Sequence, residues 1–229
     1  MQAVTGDELK AARLASSWTQ NDAAAKLGVT QAYLSMVERG TRAVSTELAA
    51  TAVGVLKVPA TAIPIRQTQR RRPDYFQKSL GSLGYPGFAY LRRSAKINPA
   101  ELLMEALDRD DLDPRVVEAT PWLPFEYPTM DWTWLISNAK TRDRQNRLAF
   151  VTVLAAQVAG EKGNAATKKS LLGMVEALER SRLAGEDTLC NQAMTDAERK
   201  WLRTHRSRTA KHWNLLTDLC VEQLDYASK

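Results

Sequence analysis

Between Leu14 and Gly40 the chain reads LASSWTQNDAAAKLGVTQAYLSMVERG. Thr19 stands where it can cap a helix, with Asp22 at the third helical position. Gln20 to Leu27 then makes one short helix, with Ala24 and Leu27 facing inward. Gly28 can take a left-handed backbone conformation and turn the chain. Val29 plugs the turn and Thr30 caps a second helix, which buries Leu34 and Val37 and stops at Gly40. Helices this short, joined this tightly, must cross closely. The small side chains of Ala23 to Ala25 let them do so.

Residues 6 to 56 resemble the lambda-repressor-like (Cro/C1, or XRE) DNA-binding domain. The resemblance rests on Thr19-Gln20 opening the first helix of the pair and Ala24-Ala25 within it. It continues through the turn Gly28-Val29-Thr30-Gln31 and the exit Glu38-Arg39-Gly40. It implies a helix-turn-helix whose second helix enters a DNA major groove. It also implies that Gln20 contacts the DNA backbone and that Gln31 reads a base. A purely structural helical hairpin is the alternative.

The side chains of Gln31, Ala32, Ser35 and Met36 are expected to point away from the Leu34/Val37 core, which makes them the candidate base contacts. A glutamine amide matches N6 and N7 of adenine. Ala32 and Met36 depart from the family pattern, which favours polar readers there. Both can touch thymine methyls, so specificity rests partly on DNA shape. Candidate phosphate contacts are Gln20, Thr30, Tyr33, Arg39 and Arg42, with plain solvent exposure the competing role of the arginines.

Around this unit, Thr5 and Glu8 form a capping box for a first helix that carries Leu9, Ala12 and the stem of Arg13 near the core, with Leu14 completing its apolar stripe. Trp18 packs between the first two helices. Ser45 caps a fourth helix running to about Leu56. Pro59 and Pro64 then stop helix formation. Residues 58–73 read as a basic linker ending in Arg70, Arg71 and Arg72. These three are a candidate arm for the DNA backbone or a narrow minor groove. The linker can equally be solvated, or meet the acidic block that follows.

Charge alternates in sign along the chain. Residues 1–64 hold six Lys/Arg against five Asp/Glu, and residues 65–97 eight against one. Residues 98–135 hold two against nine, and 136–175 seven against two; the remainder balances. Basic segments attract nucleic acid and the acidic one repels it.

Residues 74–229 read as an all-helical dimerisation or partner-binding domain. A helix spans Tyr75 to Leu83. Asn98-Pro99 and Asp113-Pro114 each open another, by an N-cap followed by a first-turn proline. Pro121, Pro124 and Pro128 punctuate an aromatic segment, either an apolar peptide groove or a loop packed into the core. From Asp131 a helical tract is expected to run to Val158. Lys140, Arg144 and Arg147 would form a cationic face that is solvated or binds DNA or an acidic partner. Asn164 caps a helix to about Leu183, Thr195 and Glu198 form another capping box, and a last helix is expected from about Ala210 to Tyr226. This region faintly resembles the helical part of XRE-type regulators encoded beside toxin genes.

Cys190 and Cys220 sit in helical-looking context and read as buried thiols. His205 and His212 lack partners for a metal set, and no catalytic motif is present. No cofactor is expected, and no membrane span or signal peptide is visible. The expectation is an all-α, cytoplasmic, non-enzymatic protein: residues 1–57 bind a double-stranded DNA operator, and the chain is a homodimeric repressor of its own operon. The alternatives are an antitoxin that binds a cognate toxin protein and autoregulates, or a helical interaction adaptor without operator binding.

Overall fold

In the computed structural model, which describes residues 4–65, 74–91, 96–224 and 226, the chain is all-α. Helices α1 (Gly6–Ala15), α2 (Gln20–Leu27), α3 (Gln31–Glu38) and α4 (Thr46–Val55) form the N-terminal unit. Each starts where a side-chain cap satisfies an orphan amide: Thr5, Thr19, Thr30 and Ser45 each accept a hydrogen bond from the third helical N–H. Gly6 lies against the end of α3 so closely that a Cβ there would sit 1.9 Å from the Val37 carbonyl oxygen. Leu14 departs from the expected stripe: it is exposed, and the inward position in the last turn of α1 belongs to Arg13, four residues beyond Leu9.

The first half of the expected linker is packed. Residues Ala60–Ala62 form a single 3-10 turn, and Val58, Ala60 and Ile63 are buried. The Val4 amide donates to the Ala62 carbonyl at 2.9 Å. Asn98 Nδ2 donates to the carbonyls of Thr61 (3.1 Å) and Ile63 (2.6 Å). One side chain thus caps its own helix and clasps the segment leaving α4.

The second region has α5 (Tyr75–Leu83), α6 (Pro99–Leu107), α7 (Pro114–Ala119), α8 (Trp122–Glu126) and α9 (Trp132–Thr141). Then come α10 (Gln145–Glu161), α11 (Ala165–Glu179), α12 (Asp196–His205) and α13 (Arg208–His212). Two short strands, β1 (Asp187–Thr188) and β2 (Leu215–Leu216), pair in parallel. The central helix is α10, buried on nearly all sides and packed by α6, α8, α9, α11 and α13. The proline-punctuated segment is core. Trp122 and Leu123 are buried, Trp122 meets Tyr85 edge-on at 5.5 Å, and the Tyr127 hydroxyl donates to the Leu83 carbonyl.

Five expectations are corrected. The tract from Asp131 to Val158 is two helices, because Asp143 adopts a left-handed conformation (φ 54°) and the Arg144 amide closes on the Ala139 carbonyl. Its expected cationic face is divided: Lys140 is solvent-exposed, whereas the arginines are drawn into ion pairs or buried. Arg142 pairs with Asp108 at 3.1 Å, Arg144 lies within 3.6 Å of Asp108 and Asp110, and Arg147 is fully buried. The expected last helix stops at His212, because Asn214 turns left-handed (φ 54°) and Leu215–Leu216 join β1. Helix α11 ends at Glu179, short of Leu183, whose backbone is held on both sides by Asn146. Cys190 lies in a bend rather than a helix and Cys220 in extended chain; both are free thiols, the first buried and the second half-buried.

Arg147 makes a buried, many-partnered polar joint in this region. Its guanidinium grips both Asp187 oxygens (2.7 and 2.8 Å) and donates to the carbonyls of Leu107 and Arg109. Burial opposes ionisation of Asp187, but these hydrogen bonds and the arginine charge outweigh it and hold the carboxyl below its usual range. Burial pushes the neighbouring Cys190 thiol up to about 11, which keeps it protonated and unreactive at neutral pH.

Candidate nucleic-acid interface

The geometry begins with the turn between α2 and α3. Thr19 and Asp22 complete a reciprocal capping box, which leaves the first amides of α2 without helical acceptors. Gly28 sits at φ 69°, and the Val29 amide closes back on the Ala24 carbonyl at 3.0 Å. Ala23, Ala24 and Leu27 are buried toward Leu34 and Val37, whereas Ala25 is exposed. Only the first two of the three alanines therefore serve the crossing.

Helix α3 turns a coherent face outward. Gln31 and Ala32 are exposed; Ser35 and Met36, one turn on, are half-buried. The Arg42 guanidinium lies over the half-buried Tyr33 ring at 5.0 Å. Its backbone is anchored nearby, since the Thr41 and Arg42 amides both donate to the Met36 carbonyl. Arg39 is exposed, with Nε on the Ser35 carbonyl at 3.1 Å. The Thr30 hydroxyl is already engaged as the α3 cap, accepting from the Tyr33 amide. Arg70, Arg71 and Arg72 lie outside the described residues.

Behind this face runs a polar relay that local sequence patterns do not reveal. Arg13 Nε and Nη2 donate to the two Glu38 oxygens at 2.7 and 2.9 Å, and Arg13 Nη1 donates to the Trp18 carbonyl at 2.9 Å. Gln20 Nε2 donates to Glu38 at 2.9 Å, and Gln31 Nε2 donates to Gln20 Oε1 at 2.7 Å. The Glu38 carboxylate is 4% exposed as a residue. Burial works against its charge, but hydrogen bonds from Arg13 and Gln20 and the Arg13 charge win, and its pKa falls below the usual carboxylate value. The hydrogen bond to Glu38 likewise raises the pKa of Arg13. The one sequence signal for this pair is position. Arg13 follows Leu9 by one helical turn and Glu38 follows Val37, so each adjoins an inward site.

Gln20 therefore does not present a free amide to solvent: both ends of its side chain are used. What remains at that position for an anion is the backbone N–H at the start of α2. Gln31 keeps its own Oε1 and one of its two Nε2 hydrogens.

The two histidines do different, local work. His205 stacks on Trp201 at 4.3 Å, and His212 Nε2 lies 2.8 Å from Glu179. Among the described residues no helix is long and apolar enough to cross a membrane.

A capped short helix, a left-handed glycine, and a second helix presenting an amide and flanking cations define a helix-turn-helix unit. Residues 9–63 match the family described as Helix-turn-helix, of the lambda-repressor-like class, which supports a DNA-binding regulatory role in general for this part of the chain. Neither the curated proteins nor the solved structures contain a significant match to the chain.

Proposed function

We propose that the protein is a cytoplasmic, sequence-specific repressor that binds double-stranded DNA as a homodimer at the operator of its own operon. In this reading Gln31 pairs with adenine, Ala32 and Met36 meet thymine methyls, and Ser35 completes the base-facing surface. The Gln20 backbone N–H, Thr30, Tyr33, Arg39 and Arg42 hold phosphates, and Arg70, Arg71 and Arg72 follow the backbone beyond. Residues 1–57 are the DNA-binding domain, 58–73 the basic connection, and 74–229 the dimerisation domain. Two α3 helices sit about one DNA turn apart, and the bound dimer blocks polymerase.

The observation that carries this reading is the hydrogen bond from Gln31 to Gln20, which orients the base-facing amide before DNA arrives. Pre-orientation lowers the ordering cost of a bidentate contact. Residues 1–64 differ by only one between basic and acidic side chains. A single domain is thus weakly attractive to DNA, which favours a two-subunit complex. The test is a salt-series gel shift on the native upstream DNA and on a scrambled copy. Arg42→Ala should weaken binding on both and reduce the salt slope by about one. Equal affinity of the wild type for native and scrambled DNA would end the operator reading.

A further inference from the structure

A cleft of about 410 Å³ lies between α10, α11 and α13. Its apolar lining is Val153 and Val175, backed by Trp213, which is 1% exposed. The polar lining is Glu179, Arg208, Thr209 and His212. The cleft is shallow and broadly open to solvent, with an apolar base and a few polar groups at its rim.

The polar groups divide into a committed pair and a free pair. Glu179 is held by His212 Nε2 at 2.8 Å and by Arg182 Nε at 3.2 Å. Arg182 also donates to the His212 carbonyl at 2.7 Å, so the end of α11 is stapled to α13. By contrast, the Arg208 guanidinium and the Thr209 hydroxyl make no hydrogen bond or ion pair with any described residue. The floor is fixed from behind, where Asn146 Nδ2 donates to the carbonyls of Leu183 and Trp213.

We propose that this cleft binds a small organic monocarboxylate with an apolar body. The body lies against Val153 and Val175, above the covered Trp213, and the carboxylate takes Arg208 as a two-pronged partner and Thr209 as a hydroxyl donor. One free guanidinium matches one negative charge. The Glu179 carboxylate in the wall disfavours a dianion, so a monocarboxylate is preferred over a phosphate ester. The site belongs to the second domain and needs nothing from the DNA-reading face.

The test is calorimetric titration of the full chain with benzoate and with indole-3-acetate, each beside its neutral amide. The acids should bind with Kd of about 1 mM or tighter, as expected for ligands of this size. The amides should bind about tenfold more weakly, for want of the charge-assisted contact. Arg208→Ala, at an exposed position that leaves folding intact, should bring each acid down to the level of its amide. Val175→Trp, which fills the cleft, should abolish binding of both. Absence of binding by either acid, equal binding of acid and amide, or unchanged acid binding by Arg208→Ala would each overturn the proposal. Should Val175→Trp fail to fold, the Arg208→Ala result decides. The readout contains no DNA, so it stands or falls apart from the operator reading.

Discussion

Gln31 donates from Nε2 to Oε1 of Gln20 at 2.7 Å, tying the first residue of α3 to the first residue of α2. Gln20 in turn rests on Glu38, which Arg13 holds from α1. The surface that faces outward is thus anchored through three helices to a buried ion pair. Truncating Gln31 to alanine should cost about 1–3 kcal/mol of discrimination at one base pair per half-site while leaving binding to scrambled DNA nearly unchanged. Gln20→Ala should relax the same position by a smaller amount, because Gln31 loses its orientation but keeps its chemistry. Competition binding against a library randomised at each operator position measures both.

The ion pair makes a pH prediction. The folded pKa of Glu38 lies below its unfolded value, so the native state favours the ionised form. Its contribution is fully present above the unfolded glutamate pKa of about 4.3 and is lost as pH falls through the folded pKa. Glu38→Gln strands Arg13 in a buried position and should cost about 3–5 kcal/mol at neutral pH. The difference between wild type and variant should shrink below about pH 4. Urea denaturation at a series of pH values would show it; a difference independent of pH would contradict this assignment.

Gly6 has no room for a side chain. A methyl there would meet the Val37 carbonyl oxygen at 1.9 Å, and that atom belongs to backbone that cannot swing aside. Gly6→Ala should therefore destabilise the N-terminal unit by about 1–3 kcal/mol or more, despite the higher helix propensity of alanine. Thermal melting checks the sign: stabilisation would mean that α1 and α3 are further apart than described.

Much of this architecture is written locally. Thr5, Thr19, Thr30, Ser45, Asn98, Asp113, Asn164 and Thr195 start helices because each cap is satisfied within three residues. The outward face of α3 follows from its inward Leu34 and Val37 in the same way. What escapes a local reading is set by distant partners. Arg13 and Glu38 are 25 positions apart, and Arg147 meets Asp187 across 40. The stretch after His212 has helical spacing of apolar residues, but its Leu215–Leu216 pair is claimed by β1 and its Asn214 by a left-handed turn. Asp143 breaks a tract of otherwise sound helical periodicity for the same reason, since the arginines on either side of it are drawn to Asp108 and Asp110.

Arg147 supplies a stability test for the second region. Arg147→Met removes the donors that serve Asp187 and the Leu107 and Arg109 carbonyls, and should cost about 3–5 kcal/mol. Adding Asp187→Leu should recover part of that loss, because the uncompensated carboxylate goes too. Urea midpoints of the two single variants and the double variant give the coupling. Strict additivity would mean that the pair contributes no mutual stabilisation.

The central claim is that α3 reads an operator as one of two copies, and protection mapping on the native upstream region tests it most directly. Two protected half-sites with centres about one helical turn apart (~34 Å, or about 10.5 base pairs) are expected, lost in Gln31→Ala at concentrations where the wild type protects. Uniform protection without phased half-sites, or a footprint unchanged by Gln31→Ala, would contradict it.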